Sequence, residues 1–284
     1  MTAGRASLTA RAVAAGRAIG YRHLHDPLAT TFLPPVERRV AAAARRVAVR
    51  PAGADAMAVA TLGLSRHTAL RMAAIDRFVT VAVDGGCTQV VVVGAGFDTR
   101  AWRLDALAST PVWELDLPAT QQAKREALGD RAHRDGLHLV PVDLAATTIP
   151  DALDGHGHRR DVPTAWVWEG VAPYLPPTAV EEVLDGIATC SAPGSHLAMT
   201  VAHPDLLGRG PLAPVTRPLA AWAFRVLGEP ILSTYDEDAA EAVVVAHGGV
   251  DAHVTAPADW ARAAGLPTRP DAFGAERLVT ARVG

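Results

Sequence analysis

The run Val93-Gly94-Ala95-Gly96-Phe97-Asp98-Thr99 follows four consecutive valines, Val90 to Val93, and leads into an alanine-containing stretch with helical character. Glycines set between a strand buried on both faces and a helix let a ligand approach the backbone closely, as a nucleotide-type site requires. For the G-x-G alone, a tight turn without a ligand is the plain alternative. Glu114 and Asp116 stand 20 and 22 residues beyond Gly94, at the end of the next strand-like run. An acid at that distance accepts the hydroxyl protons of an adenosine ribose. Both alternate with Trp113 and Leu115 and so project to one face of the strand. One of them suffices for the ribose, and a solvated acid at a strand end is the other reading of each.

Nicotinamide dinucleotide and S-adenosylmethionine would both bring adenosine to such a crevice, and three features favour the second. Thr99 stands where the dinucleotide fingerprint has its third glycine. Asp98 places a full negative charge inside the loop, which repels a diphosphate, tolerates a sulfonium cation, and can cap the following helix by accepting amide protons. A long helical stretch precedes the first strand, whereas dinucleotide domains often begin with that strand.

Glu169 follows the apolar run Ala165 to Trp168 and so lies at the carboxyl end of a central strand, the edge where open α/β sheets bind ligands. A buried carboxylate there needs a partner. Tyr174 is near the same edge, where it either closes over the reacting group or packs in the core. His203, directly after a later strand, is the candidate general base for a phenolic acceptor, or else a loop histidine. Asp154-Gly155-His156-Gly157-His158 gathers two histidines and an acid, but no further ligand stands at a zinc spacing, so a solvated loop and no metal are expected.

These residues need a frame. Positions 1–86 read as helical, with breaks at Asp26-Pro27 and Pro34-Pro35 and no strand pattern before Gln89. Strands and helices then alternate: strands at 90–93, 111–117, 137–142, 165–169 and 196–202, helices at 99–109, 121–134 and 178–190. That rhythm predicts βαβ units in one doubly wound, mainly parallel sheet. Positions 87–203 form the expected cofactor-binding core. The stretch 204–235, rich in proline and carrying Leu212, Trp222, Phe224, Val226 and Leu227, reads as a lid insertion. Positions 236–284 supply a helix near 236–246, a strand around His253, a helix at 259–264 and a last strand at 277–283, within a single domain.

Over 284 residues, 49% are hydrophobic, 20% are charged and the net charge is -3, which places the chain with ordinary soluble globular proteins and away from nucleic-acid partners. Cys87 and Cys190 are far apart and indicate neither a disulfide framework nor a cysteine zinc site. The first 25 residues lack any acid and carry Arg5, Arg11, Arg17 and Arg22, the texture of an amphipathic helix or a transit segment. The arginines interrupt each apolar run too early for a membrane span, and a cytoplasmic location is expected.

Four blocks resemble the leucine carboxyl methyltransferase family in its bacterial small-molecule O-methyltransferase branch: Leu70-Arg71-Met72-Ala73-Ala74-Ile75-Asp76, Val93 to Leu104, Trp113 to Pro118, and Trp168 to Leu175. Gly228-Glu229-Pro230 is a weaker echo. The resemblance implies a Rossmann-like class I methyltransferase fold with S-adenosylmethionine as cofactor. It assigns Arg71, otherwise a helix-surface arginine, to the methionyl carboxylate, and Gly94, Ala95 and Gly96 to the methionyl and ribose portions. It assigns Asp116 to ribose, Asp143 and Leu144 to adenine, and Glu169 to the ammonium group. Without it, Asp143 is a turn-forming acid. Met72 departs from the family's usual threonine and puts a polar contact there in doubt. The implied reaction is methyl transfer to a small-molecule acceptor, in which positioning counts most. A carboxylate acceptor, with a pKa of about 4, needs no base; a phenol, at about 10, would gain from one. A hydrophobic carboxylic acid is the expected acceptor. A protein C-terminus, a nicotinamide-dependent oxidoreductase and a non-catalytic cofactor binder are the rival readings.

Overall fold

The computed structural model describes residues 8–207, 230–269 and 274–284. Four helices come first: α1 (Leu8–Ile19), α2 (Pro35–Ala48), α3 (Pro51–Ala60) and α4 (Leu64–Asp84). Proline at the first position of α2 and α3 pre-sets the helical φ and spends no amide that the helix would use. The expected breaks at Asp26-Pro27 and Pro34-Pro35 are present. Two more follow, at Arg50-Pro51 and at Gly63, whose φ of 93° ends the local turn before α4.

The sheet elements are β1 (Gln89–Val93), β2 (Val112–Asp116), β3 (Leu137–Pro141), β4 (Thr164–Trp168) and β5 (Ser195–Ala202), followed by β6 (Gly249–Thr255) and β7 (Glu276–Val283). They lie in the order β3-β2-β1-β4-β5-β7-β6. The first five pair in parallel, and β7 runs antiparallel to both β5 and β6. This is the mixed, mainly parallel sheet of a class I Rossmann-like methyltransferase. Between the strands lie α5 (Arg100–Arg103), α6 (Pro118–Leu128), α7 (Ile149–Leu153), α8 (Pro177–Thr189), α9 (Glu237–Ala246) and α10 (Pro257–Ala263).

The two-residue period of a strand divides the core. Val91, Val93, Trp113, Leu115, Trp166 and Trp168 face one way, against α7, α8 and α9. Val90, Val92, Val112, Ala165 and Val167 face the other, against α4 and α10. The chain runs outward through β1, β2 and β3, then returns to β4 beside β1, so strand order reverses between β1 and β4. Open α/β sheets bind ligands at the carboxyl ends of the strands flanking such a switch point.

The helix expected at 99–109 is a correction. The structure forms only α5 and a 3-10 turn, Asp105–Leu107, because Leu104 is extended at φ -92° and ψ 121° and Arg100 and Arg103 are turned into ion pairs. Of the expected lid, positions 208–229 lie outside the described residues, and Leu212, Trp222, Phe224, Val226, Leu227 and Gly228-Glu229 lie there too. The returning strand of chain is tied down: Leu232 N–H donates to the Pro173 carbonyl at 2.7 Å and the Ser233 hydroxyl to the Ala172 carbonyl at 2.8 Å.

Candidate cofactor site

The glycine loop leaves β1 at the switch point. Gly94 and Ala95 both donate their amides to the Leu115 carbonyl, at 2.8 and 3.0 Å, and Gly96 N–H donates to Asp116 Oδ2 at 2.5 Å. Gly94 has φ +66°, and a Cβ there would stand 2.3 Å from Val171 Cγ2. Gly96 also has positive φ, but a Cβ would meet nothing within 4 Å, so the space above the loop is open. Ala95 is buried against α4.

Glu114 and Asp116 share the face of Val112, as the alternation predicts, but their surroundings differ. Glu114 is completely buried and ion-paired with Lys124 of α6, the only lysine in the chain. Burial pushes its carboxyl up to about 7 against the pull of Lys124. Glu114 is therefore committed beneath the strand, which is a correction to its place among ribose acids. Asp116, two residues nearer the edge, is the acid that reaches the loop; its other oxygen accepts the Leu117 amide at 2.6 Å.

Behind the loop lies a buried ion network that also involves β4 and β7. Arg71 of α4 donates through Nε to Glu169 at 2.8 Å and through Nη1 to Glu276 at 2.9 and 3.0 Å. Its Nη2 lies 3.9 Å from the Cβ position of Gly170 at the end of β4. Arg100 donates to Glu169 at 2.7 Å and to Asp76 at 2.9 Å, and pairs with Asp98. Asp98 accepts the Arg100 backbone amide at 2.6 Å, the capping contact expected of it. Arg103 pairs with Asp76, and His67 Nε2 lies 2.5 Å from Glu276. Arg17 and Asp26 adjoin the cluster, the first donating to the Phe97 carbonyl.

The charges decide what such a site can hold. Arg17, Arg71, Arg100 and Arg103 face Asp26, Asp76, Asp98, Glu169 and Glu276, so apart from His67 the acids outnumber the guanidinium groups by one. Burial opposes ionisation of Glu169, but Arg100 and Arg71 override it and hold the carboxyl well below the usual range. Glu276 is likewise drawn down to about 2, burial being outweighed by Arg71 and His67. Asp98 is held below its ordinary value by Arg100 against the same opposition. Acids in excess of their guanidinium partners, with Arg71 among them, suit a zwitterion that carries additional positive charge. The open loop and this donor set therefore fit S-adenosylmethionine.

Both glutamates have folded pKa values below the unfolded value of about 4.3, so the stability they confer is present above that pH and is lost as protons bind on the way down. Thermal unfolding is expected to drop steeply between about pH 4.5 and the folded value near 2 of Glu276. In Glu276→Gln the drop should be shallower; an unchanged pH profile would show that this carboxylate is not ionised in the fold.

Asp143 is exposed at the end of β3 and accepts the Ala145 amide at 3.0 Å in a turn; Leu144 packs partly against the core. Tyr174 is half-buried in the 3-10 turn after β4. His203 Nδ1 accepts the Asp205 amide at 3.2 Å and Nε2 lies 3.4 Å from Glu237, so both ring nitrogens face these two acidic residues. His158 is in a buried polar cluster with Gln89 and Thr164, its pKa lowered by burial to about 4, so the Asp154–His158 loop is not wholly solvated. Among the described residues, no group of three His, Cys, Asp or Glu could hold a metal, and no helix is long and apolar enough to cross a membrane. Asp76, Arg100 and Glu276 were not among the expected site residues. Asp76 and Arg100 had a signal, since both stand inside the motif blocks as charges among apolar neighbours.

The chain is similar to known proteins in sequence and in fold. The model of the leucine carboxyl methyltransferase family matches residues 6–188. A protein of Mycobacterium sp. (strain KMS), provisionally named an S-adenosyl-L-methionine-dependent methyltransferase, is 37% identical over 209 residues, covering 69% of this chain and 68% of its own. One of the same name from Mycolicibacterium paratuberculosis is 38% identical over 147 residues, 51% of this chain and 46% of its own, so the match spans about half the length of some relatives. The crystal structure of a provisionally named methyltransferase from Thermobifida fusca superposes with a TM-score of 0.63 at 18% identity, covering 98% of this chain and 95% of that one, a likeness of fold. The family match over residues 6–188, together with a relative 37% identical over more than two thirds of both chains, shows that this protein belongs to the leucine carboxyl methyltransferase family, whose cofactor is S-adenosylmethionine.

Proposed function

We propose that the protein is an S-adenosylmethionine-dependent O-methyltransferase that esterifies a carboxylate of a hydrophobic small molecule. The observation that carries this reading is the disposition of Arg71. Glu169 and Glu276 occupy Nε and Nη1, and Nη2 stands 3.9 Å from the Cβ position of Gly170, which makes it the atom proposed to receive the carboxylate of the amino-acid tail. Glu169, ionised, is placed to accept an ammonium proton. Asp116, held at Gly96 N–H, is the acid for ribose hydroxyls. Asp143 and Leu144, at the end of the neighbouring strand, are the residues for adenine.

When bound, the cofactor would supply an electrophilic methyl group on a sulfonium, which would pass to an acceptor oxygen and leave the sulfur as a neutral thioether. With a carboxylate as acceptor no proton moves, so the protein's work is alignment and exclusion of water. His203, whose Nε2 lies 3.4 Å from Glu237, has no part to play in chemistry that needs no base. Tyr174, on the turn after Glu169, is the residue proposed to border the acceptor.

The test is incubation with donor labelled in the methyl group and panels of hydrophobic carboxylic acids, phenols and peptides. Label in a small-molecule ester, released as methanol by mild alkali, is the expected result. Base-stable label on phenols, or label confined to polypeptide, would refute the carboxylate reading. Tight nicotinamide dinucleotide binding without S-adenosylmethionine binding would refute the reaction class.

A further inference from the structure

We propose that Glu276, braced by His67, is the positioning residue that orients Arg71 toward the cofactor, so that the C-terminal antiparallel strand sets the aim of an arginine on an N-terminal helix. The inference rests on the role proposed for Arg71 and goes beyond it. Glu276 is the first residue of β7, lies outside the segment matched by the family model, and is 205 residues from Arg71 in sequence. Both of its oxygens accept from Arg71 Nη1, and one also contacts His67.

A guanidinium is a planar fork, so fixing two of its nitrogens fixes the third. Glu169 alone, through Nε, would leave the plane free to turn about the Nε contact. Adding Glu276 on Nη1 removes that freedom and leaves Nη2 at Gly170. His67 and Arg71 stand four residues apart on α4, one above the other on the same face, so one helix presents both groups to the same carboxylate. The backbone holds Glu276 in place: Glu276 pairs with Ala202 of β5 in the antiparallel ladder, where neither residue can shift without breaking the register.

The experiment combines crystal structures of the ligand-free protein with titration by S-adenosylhomocysteine, for wild type, Glu276→Gln, Glu276→Asp and His67→Gln. In Glu276→Gln the Arg71 side chain is expected to leave Gly170, and affinity for S-adenosylhomocysteine to fall roughly ten- to a hundredfold, the range for losing one charge-assisted hydrogen bond. The KM for donor should rise in parallel while kcat changes little. Glu276→Asp, which keeps the charge, should recover part of the affinity, and His67→Gln should lose less than Glu276→Gln. Arg71 unmoved in Glu276→Gln, or a fall in melting temperature with donor affinity unchanged, would overturn the proposal. Absence of S-adenosylhomocysteine binding to wild type would instead refute the cofactor role, and the position of Arg71 in the variant crystals would still decide whether Glu276 aims it.

Discussion

Arg100→Met is expected to lower the unfolding free energy by about 3 to 5 kcal/mol, the cost of leaving buried charges without their partner. Arg100 is 1% exposed and binds Asp98, Asp76 and Glu169 at once. Methionine keeps much of the stem's volume, so the loss isolates the charge and its hydrogen bonds from cavity formation. Three carboxylates would then share the remaining arginines, and Glu169 would lose the foremost of the arginines that keep it ionised. Denaturant unfolding measures the effect. The exposed Arg159–Asp161 pair provides the contrast: at 65% and 71% exposure, its removal should leave the unfolding midpoint unchanged within error. Equal effects at the two sites would mean that burial does not distinguish them and that the network is not what supports the switch point.

The frame that carries this network was readable because its strands obey short rules. Val90 to Val93 is apolar on both faces, as a central parallel strand must be, and the helices at 178–190 and 236–246 sit within a residue or two of α8 and α9. The stretch at 99–109 misled because its composition is helical while its charges are not free to lie on a helix surface: Arg100 and Arg103 turn inward to Asp76 and Asp98, and the helix ends after one turn. Propensity lost to tertiary pairing. Glu114 and Asp116 could not be told apart by alternation, which gives both the same face. Their difference depends on Lys124, which α6 carries back under β2. Glu276 had no local signal, since its partners lie on α4 and meet it only through the order of the sheet.

The two glycines of the loop should respond to alanine differently, with Gly94→Ala giving the larger loss of donor binding. At Gly94 the added Cβ would stand 2.3 Å from Val171 Cγ2, well inside contact, at a backbone φ of +66° that alanine adopts at a cost of roughly 1 to 2 kcal/mol. Val171 is β-branched, packs against the core and cannot easily turn aside. The loop itself must move, and a displacement of about 1 Å in a positioning element can cost a hundredfold. Gly94→Ala is therefore expected to lose stability and to bind S-adenosylhomocysteine about a hundredfold more weakly. Adding Val171→Ala should restore part of both, because it removes the atom that the new methyl meets. At Gly96, by contrast, a Cβ meets no protein atom within 4 Å. Gly96→Ala should carry only the backbone term, a few degrees of melting temperature at its φ of +49°, yet its methyl would project into the space assigned to the cofactor, so affinity should fall by more than that loss of stability explains. Calorimetric titration beside thermal unfolding separates the two cases. Undiminished S-adenosylhomocysteine binding in Gly96→Ala would place the ligand elsewhere than above this loop.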